Sequence, residues 1–124
     1  MIVGVGFDLV DVEELQGEVD STGAEWLQRI FTATEQEYCG RQADPYRSFA
    51  GTFAAKEAAL KALGTGWTDQ ADLLDVEVGH NSGKPVIALN RHLLEVSNRL
   101  GVRSVFVSIS HTKSYAAAVV VLES

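Results

Sequence analysis

From Tyr46 to Leu63 the chain runs without a proline through Phe49, Ala50, Ala54, Ala55, Ala58, Ala59 and Ala62, and it then meets Gly64-Thr65-Gly66. Strong helix formers in an unbroken run, followed by glycines that accept a left-handed cap, predict a long helix stopped at Leu63. In a chain of 124 residues such a helix has to be the spine of the fold, because this length supports one hydrophobic core and not two. Residues 1–124 therefore read as a single domain.

The segments on either side supply sheet and cover. From Ile2 to Val12 the residues alternate, with Val3, Val5, Phe7 and Leu9 on one face and Gly4, Gly6, Asp8 and Val10 on the other, the period of a strand. The stretch from Val12 to about Ile30 reads as two short helical pieces parted at Ser21-Thr22-Gly23. Thr32 followed by Glu35 fits a capping box, in which hydroxyl and carboxylate each satisfy an unpaired backbone N–H, and predicts a helix over about Ala33–Gln42 before the Asp44-Pro45 turn. Beyond the long helix, strands over Leu74–Val78 and Pro85–Leu89 flank Asn81-Ser82-Gly83 as a hairpin, and Arg91–Leu100 is an amphipathic helix ended by Gly101. Strands over Ser104–Ser110 and Tyr115–Leu122 make a closing hairpin. Together these predict an α+β domain with an antiparallel sheet and one long central helix.

Composition narrows the function classes. Hydrophobic residues make up 46% and charged residues 22%, as in an ordinary folded domain. The apolar start lacks a basic leader and is broken by Gly4, Gly6, Asp8 and Asp11, so neither a signal peptide nor a membrane span is expected. Cys39 is the only cysteine; it can close no internal disulfide and has no metal-site spacing, in keeping with a cytoplasmic chain. The net charge is −7, and residues 1–47 hold all of the excess, with ten acids against three arginines. That balance argues against nucleic acid or an anionic membrane as the main partner, since both need a positive surface.

Chemistry is expected where carboxylates sit in apolar company. At about 100° per residue, with Phe53 at zero, Phe49 falls near −40°, Leu60 near −20°, Glu57 near +40° and Lys61 near +80°, which puts Glu57 inside an aromatic and aliphatic stripe. A carboxylate there must be protonated, ion-paired or metal-bound, because desolvating it alone is costly. An i,i+4 pair with Lys61 is the plain alternative. Asp8 favours the functional reading: it lies on a strand face whose neighbours Gly4 and Gly6 leave room for a ligand or another backbone. Two such carboxylates with no Cys or His cluster nearby suit Mg²⁺, which takes one or two carboxylates, water and substrate phosphate oxygens; zinc fits them poorly. His111 closes a strand in phase with Val105, Val107 and Ile109 and reads first as a satisfied strand-end residue, second as a ligand contact. His80 and His92 suggest no role. The glycines after the long helix offer N–H groups to a phosphate or simply end the helix.

Several segments resemble one family, in its order along nearly the whole chain. Gly4-Val5-Gly6-Phe7-Asp8 is similar to its Gly-x-Gly-x-Asp opening, and Phe31-Thr32-Ala33-Thr34-Glu35 through Tyr38 is similar to its Phe-Thr-x-x-Glu-x-x-Tyr segment. Phe53-Ala54-Ala55-Lys56-Glu57-Ala58 through Lys61 and on to Gly66 resembles its Phe-Ala-Ala-Lys-Glu-Ala-x-x-Lys-Ala-x-Gly-Thr-Gly signature. Gly83-Lys84-Pro85 and Ser108-Ile109-Ser110-His111 resemble its Gly-x-Pro and Ser-x-Ser-His elements. The family is the holo-(acyl carrier protein) synthase type of 4'-phosphopantetheinyl transferases.

The resemblance implies a Mg²⁺-dependent transfer of 4'-phosphopantetheine from coenzyme A to a serine of an apo acyl carrier protein. Asp8 and Glu57 would hold the metal against the coenzyme A diphosphate, Glu57 would help remove the serine proton, and Lys61 would meet the departing 3',5'-ADP. Lys56, Lys61, Gly64, Thr65, Asn81, Gly83, Pro85, His111 and Thr112 are the implied coenzyme A contacts, and a homotrimer with sites between subunits is the implied assembly. Two departures stand out. Glu13 and Glu14 occupy the place where the family has a basic residue facing an acidic carrier, and Thr52 stands where it commonly has arginine. They leave open a non-catalytic relative that binds coenzyme A or a carrier; a second alternative is another Mg²⁺-dependent enzyme acting on a phosphate ester, such as a hydrolase of coenzyme A.

Overall fold

The computed structural model describes residues 1–65 and 72–124. The chain runs β1 (Ile2–Asp11), α1 (Val12–Thr22), α2 (Ala24–Ile30), α3 (Ala33–Gly40), α4 (Pro45–Leu63), a 3₁₀ turn at Leu73–Asp75, β2 (Val76–Asn81), β3 (Lys84–Leu89), α5 (Arg91–Arg99), β4 (Ser104–His111) and β5 (Tyr115–Glu123). An antiparallel sheet in the order β1-β5-β4 lies against α4, and β2 and β3 form a separate two-stranded hairpin. The expected α+β architecture around one long helix is the one observed. The strand expected from Leu74 starts two residues later, because the Asp72 carboxylate accepts from the Leu74 N–H and winds Leu73–Asp75 into the 3₁₀ turn.

α4 starts where Asp44 accepts from the Arg47 N–H with Pro45 just inside the first turn, and it ends at Gly64, whose φ of 77° is left-handed. Its small residues are what bury it: Ala50, Ala54, Ala55 and Ala58 are each 0% exposed. The sequence placed Phe53 and Glu57 toward the core. They lie instead, half-buried, with exposed Lys61 on the least covered side of the helix. Alanine lets a helix approach a sheet more closely than leucine does, so the alanine face became the inner one.

The approach is close enough to dictate glycine in β1. A Cβ on Gly4 would come within 2.1 Å of the Ala62 carbonyl oxygen, and one on Gly6 within 1.8 Å of the Ala58 oxygen. The room that Gly4 and Gly6 leave beside Asp8 is therefore filled by another backbone. Gly6→Ala forces strand and helix apart and is expected to cost on the order of 3 kcal/mol, read from the urea midpoint; an unchanged midpoint would show that the contact yields freely.

The opposite face of the sheet is bare. Register puts Val5, Val121 and Phe106 in one row and Phe7, Val119 and Ser108 in the next. Val5 and Phe7 are each 58% exposed and Phe106 is 54% exposed. No helix among the described residues is long and apolar enough to cross a membrane.

α3, α4 and β2 are tied together by a buried ion pair. Lys56, 0% exposed, donates to Glu35 Oε1 at 2.5 Å and to the Val76 carbonyl at 2.7 Å. Glu35 also closes the capping box through the Thr32 N–H and accepts the Val78 N–H through Oε2 at 2.7 Å. Burial pushes the Lys56 ammonium down from the usual lysine range while Glu35 pulls it back.

Candidate active site

β1 and α4 bring the first set of expected residues together. Asp8 follows Gly4 and Gly6 on the strand face that lies on α4, so the contact that excludes side chains at 4 and 6 delivers the carboxylate at 8 to the open edge of the helix. There Lys61 donates to Asp8 Oδ1 at 2.9 Å and to the Phe7 carbonyl at 3.0 Å. Asp8 and Glu57 line one cleft of about 600 Å³, which Trp26 and Phe53 wall on one side and α1 on the other. Asp11, Glu14 and Glu18 also line it. Five carboxylates thus face this space, and no lysine or arginine is in its lining. Asp11 and Glu14 have a structural use as well, since Asp11 caps α1 by accepting the Glu14 N–H and acids in the first turn suit the helix dipole.

The donor set fits a hard divalent cation that keeps most of its shell. Two carboxylates are few for an octahedral ion, and no group of three or more His, Cys, Asp or Glu suited to a metal occurs among the described residues. The cleft has room for water and phosphate oxygens to supply the rest. Asp8 keeps its second oxygen free of the Lys61 bond, and Glu57 stands beside it in the same lining.

A second cavity, of about 360 Å³, lies between the start of α4, the β2–β3 hairpin and the end of β4. It gathers Gly83, Pro85 and His111 from the expected coenzyme A contacts. It also contains residues to which sequence reasoning gave no part in binding coenzyme A: Tyr38, His80, Arg47 and Ser48. The Tyr38 and His80 rings stack at 3.7 Å with a 12° tilt, and burial pushes the His80 imidazole below its ordinary pKa. Only the place of Tyr38 in the Phe-Thr-x-x-Glu-x-x-Tyr segment could have hinted at this. Thr52 sits at the base, 4% exposed, with its hydroxyl 3.4 Å from Cys39 Sγ.

The remaining expected contacts are not gathered. Lys56, expected as a coenzyme A contact, lies in the core with its ammonium bonded to Glu35 and the Val76 carbonyl. At the end of α4 the Gly64 N–H goes to the Lys61 carbonyl and the Thr65 N–H to the Leu60 carbonyl, closing the helix. Gly66 lies outside the described residues. Asn81 lines neither space, and the Thr112 hydroxyl accepts the Ser114 and Tyr115 N–H groups within the β4–β5 turn.

Comparison with known proteins places this arrangement in a family. Residues 4–120 match the family model described as the 4'-phosphopantetheinyl transferase superfamily. A holo-[acyl-carrier-protein] synthase of Solibacter usitatus is 38% identical over 125 residues, covering 100% of both chains. The crystal structure of holo-[acyl-carrier-protein] synthase from Neisseria meningitidis aligns with a TM-score of 0.91 at 30% identity over 100% of each chain. That of the Helicobacter pylori enzyme in complex with coenzyme A aligns with a TM-score of 0.85 at 30% identity, over 96% of this chain and 99% of the other. With the model covering both the β1–α4 cleft and the second cavity, the chain belongs to the 4'-phosphopantetheinyl transferase superfamily.

Proposed function

We propose that this chain is a holo-[acyl-carrier-protein] synthase, which transfers 4'-phosphopantetheine from coenzyme A to a serine of an apo acyl carrier protein and releases 3',5'-ADP. The observation that carries the reading is the convergence of Asp8 and Glu57, from separate elements, on one cleft with Lys61 bonded to Asp8. Asp8 and Glu57 would hold Mg²⁺, which would supply charge neutralisation at the coenzyme A diphosphate. The serine oxygen forms a bond to the phosphorus that carries pantetheine, and the bond from that phosphorus to the bridging oxygen of 3',5'-ADP breaks. Glu57 takes the serine proton directly or through a water, and Lys61 faces the charge that gathers on the leaving phosphate. In such transfers positioning and charge neutralisation supply most of the acceleration. A pure coenzyme A binder has no need of Lys61 and Glu57 together. The compartment we propose is the cytoplasm, on the supply of coenzyme A and a carrier there.

The assembly we propose is a homotrimer with sites between subunits. Its support is the bare face of Val5, Phe7, Leu9 and Phe106, since an apolar sheet face of this kind calls for a partner surface and a second copy of the chain supplies one. The two cavities share no lining residue, so a coenzyme A molecule using both can draw them from neighbouring copies. Phe7→Asp, which leaves the α4 side of β1 untouched, is expected to give monomers in sedimentation and to lower transfer at least tenfold. Unchanged sedimentation would remove this face from the interface.

The test of the activity is direct. The protein is incubated with coenzyme A, Mg²⁺ and apo carriers whose surfaces beside the serine range from acidic to basic, and the carriers are then weighed by mass spectrometry. Carriers gaining a phosphopantetheine mass only when Mg²⁺ is present are the expected result. Coenzyme A binding with no adduct on any carrier would favour the non-catalytic relative, and coenzyme A cleavage without a carrier adduct the hydrolase. The range of carriers is needed because α1 carries Glu13, Glu14, Glu18 and Asp20 with no basic residue, a face that repels an acidic partner.

A further inference from the structure

α1 borders the Asp8 cleft, and the residues it turns to the cleft cost the helix stability without return from the rest of the chain. Glu14 suits the first turn, but Glu18 repeats its charge at i,i+4 on the same lining, and like charges at that spacing repel. Neither carboxylate is in an ion pair among the described residues, and no basic residue stands in the last turn of α1 to meet the negative end of the helix. Gly17, exposed in the middle of α1, lines the cleft beside them, although glycine is among the weakest helix formers. A Cβ on Gly17 would meet nothing within 4 Å, so no packing inside the chain requires a glycine there. Gly4 and Gly6 differ in this respect, because the α4 backbone occupies the space beside them. Across the cleft from α1 stand Trp26 and Phe53, half-buried rings in edge contact at 5.5 Å.

A serine that reaches Glu57 has to arrive with its carrier over α1, since Glu57 and Asp8 lie in the cleft that this helix borders. The carrier is therefore the body able to use what the chain itself leaves unused. We propose that the face of α1 holding Glu14, Gly17 and Glu18 is the docking surface for a carrier that presents lysine or arginine beside its acceptor serine. The inference rests on the transfer reaction proposed above and adds the charge of the partner. Cationic side chains of the carrier meet Glu14 and Glu18, and its backbone comes close to α1 over Gly17, where no side chain stands in the way. An apolar side chain next to the serine rests on Trp26 and Phe53. A carrier with acids in the same places meets a field of its own sign, so surface polarity decides which carrier is modified.

The test uses one apo acyl carrier protein in two forms, which differ only in whether the exposed positions flanking the serine hold lysine or glutamate. Wild type is expected to favour the lysine form by about 10- to 100-fold in kcat/KM at low salt, mainly through KM, and the preference should shrink as salt rises. Combining Glu14→Lys with Glu18→Lys should reverse the preference, while calorimetric binding of 3',5'-ADP stays as in wild type. Gly17→Leu, which suits a helix better than glycine, should melt no lower than wild type yet lose at least about tenfold in kcat/KM on the lysine form. A wild type that treats the two forms alike or favours the glutamate form overturns the inference and leaves transfer standing. An unchanged preference in the double lysine variant does the same, and full turnover of Gly17→Leu overturns the close approach over Gly17. A wild type that modifies neither form overturns the activity reading as well.

Discussion

Glu57→Gln and Asp8→Asn are each expected to cut phosphopantetheine transfer roughly 10³-fold while leaving the fold in place. Both replacements keep side-chain size, so neither opens a void. Glu57 is half-buried on the open side of α4, and its amide analogue still fits the cleft. Asp8 is 9% exposed and loses its ion pair, but Lys61 is 52% exposed in its side chain and keeps the Phe7 carbonyl, so water compensates much of the loss. On the proposed reading, what vanishes is a carboxylate assigned to Mg²⁺, together with the assigned proton acceptor in the case of Glu57. Three measurements separate these effects: carrier mass after timed incubation, Mg²⁺ titration by calorimetry, and thermal unfolding. Lost turnover and weakened Mg²⁺ binding at a nearly unchanged melting temperature is the expected pattern. Full Mg²⁺-dependent turnover in both variants would end the metal assignment.

Lys56→Met should act on the opposite ledger, destabilising the protein by about 3–5 kcal/mol. Methionine fills much the same volume, so the cost is electrostatic. It leaves Glu35, 1% exposed, without the ammonium that balances its charge, and it leaves the Val76 carbonyl without its donor. The carboxylate keeps the Thr32 and Val78 N–H groups, which holds the loss below that of a bare buried ion. Glu35→Gln in the Lys56→Met background should recover part of the stability, since it withdraws the unpaired charge. Urea unfolding of the single and double variants reads both effects. Equal midpoints for Lys56→Met and the parent would mean that the pair contributes nothing, and loss of coenzyme A binding in a fully stable Lys56→Met would return Lys56 to the ligand.

Local signals made most of the fold legible. The Thr32 and Glu35 capping box marked α3, Asp44-Pro45 and Gly64 bounded α4, and the Asn81-Ser82-Gly83 turn and the alternation on either side of residues 111–114 set both hairpins. These signals work because each depends on backbone groups only a few residues apart. The burial of α4 was less legible. A helical wheel ranks residues by their own apolar area, and it put Phe53 and Glu57 on the inner face with Phe49 and Leu60, of which only the last two are buried. The inner face is the alanine one, which the sheet prefers because β1 presents glycines to it. The same limit explains Lys56: its spacing on the helix says nothing of Glu35, which reaches it from another element.

Residue types and their order alone determined the α+β class, the span of the central helix and the candidacy of Asp8 and Glu57 as a pair of carboxylates in apolar surroundings. Only tertiary structure decided that the room beside Asp8 is taken by the α4 backbone, that Lys61 serves Asp8, that Lys56 is a core ion pair, and that Arg47 points an unpaired donor into a cavity. The physical reason is range. Propensity, capping and turns are settled between near neighbours in the chain, whereas charge pairing, desolvation and close backbone approach depend on which distant segments the packing of small residues allows to meet.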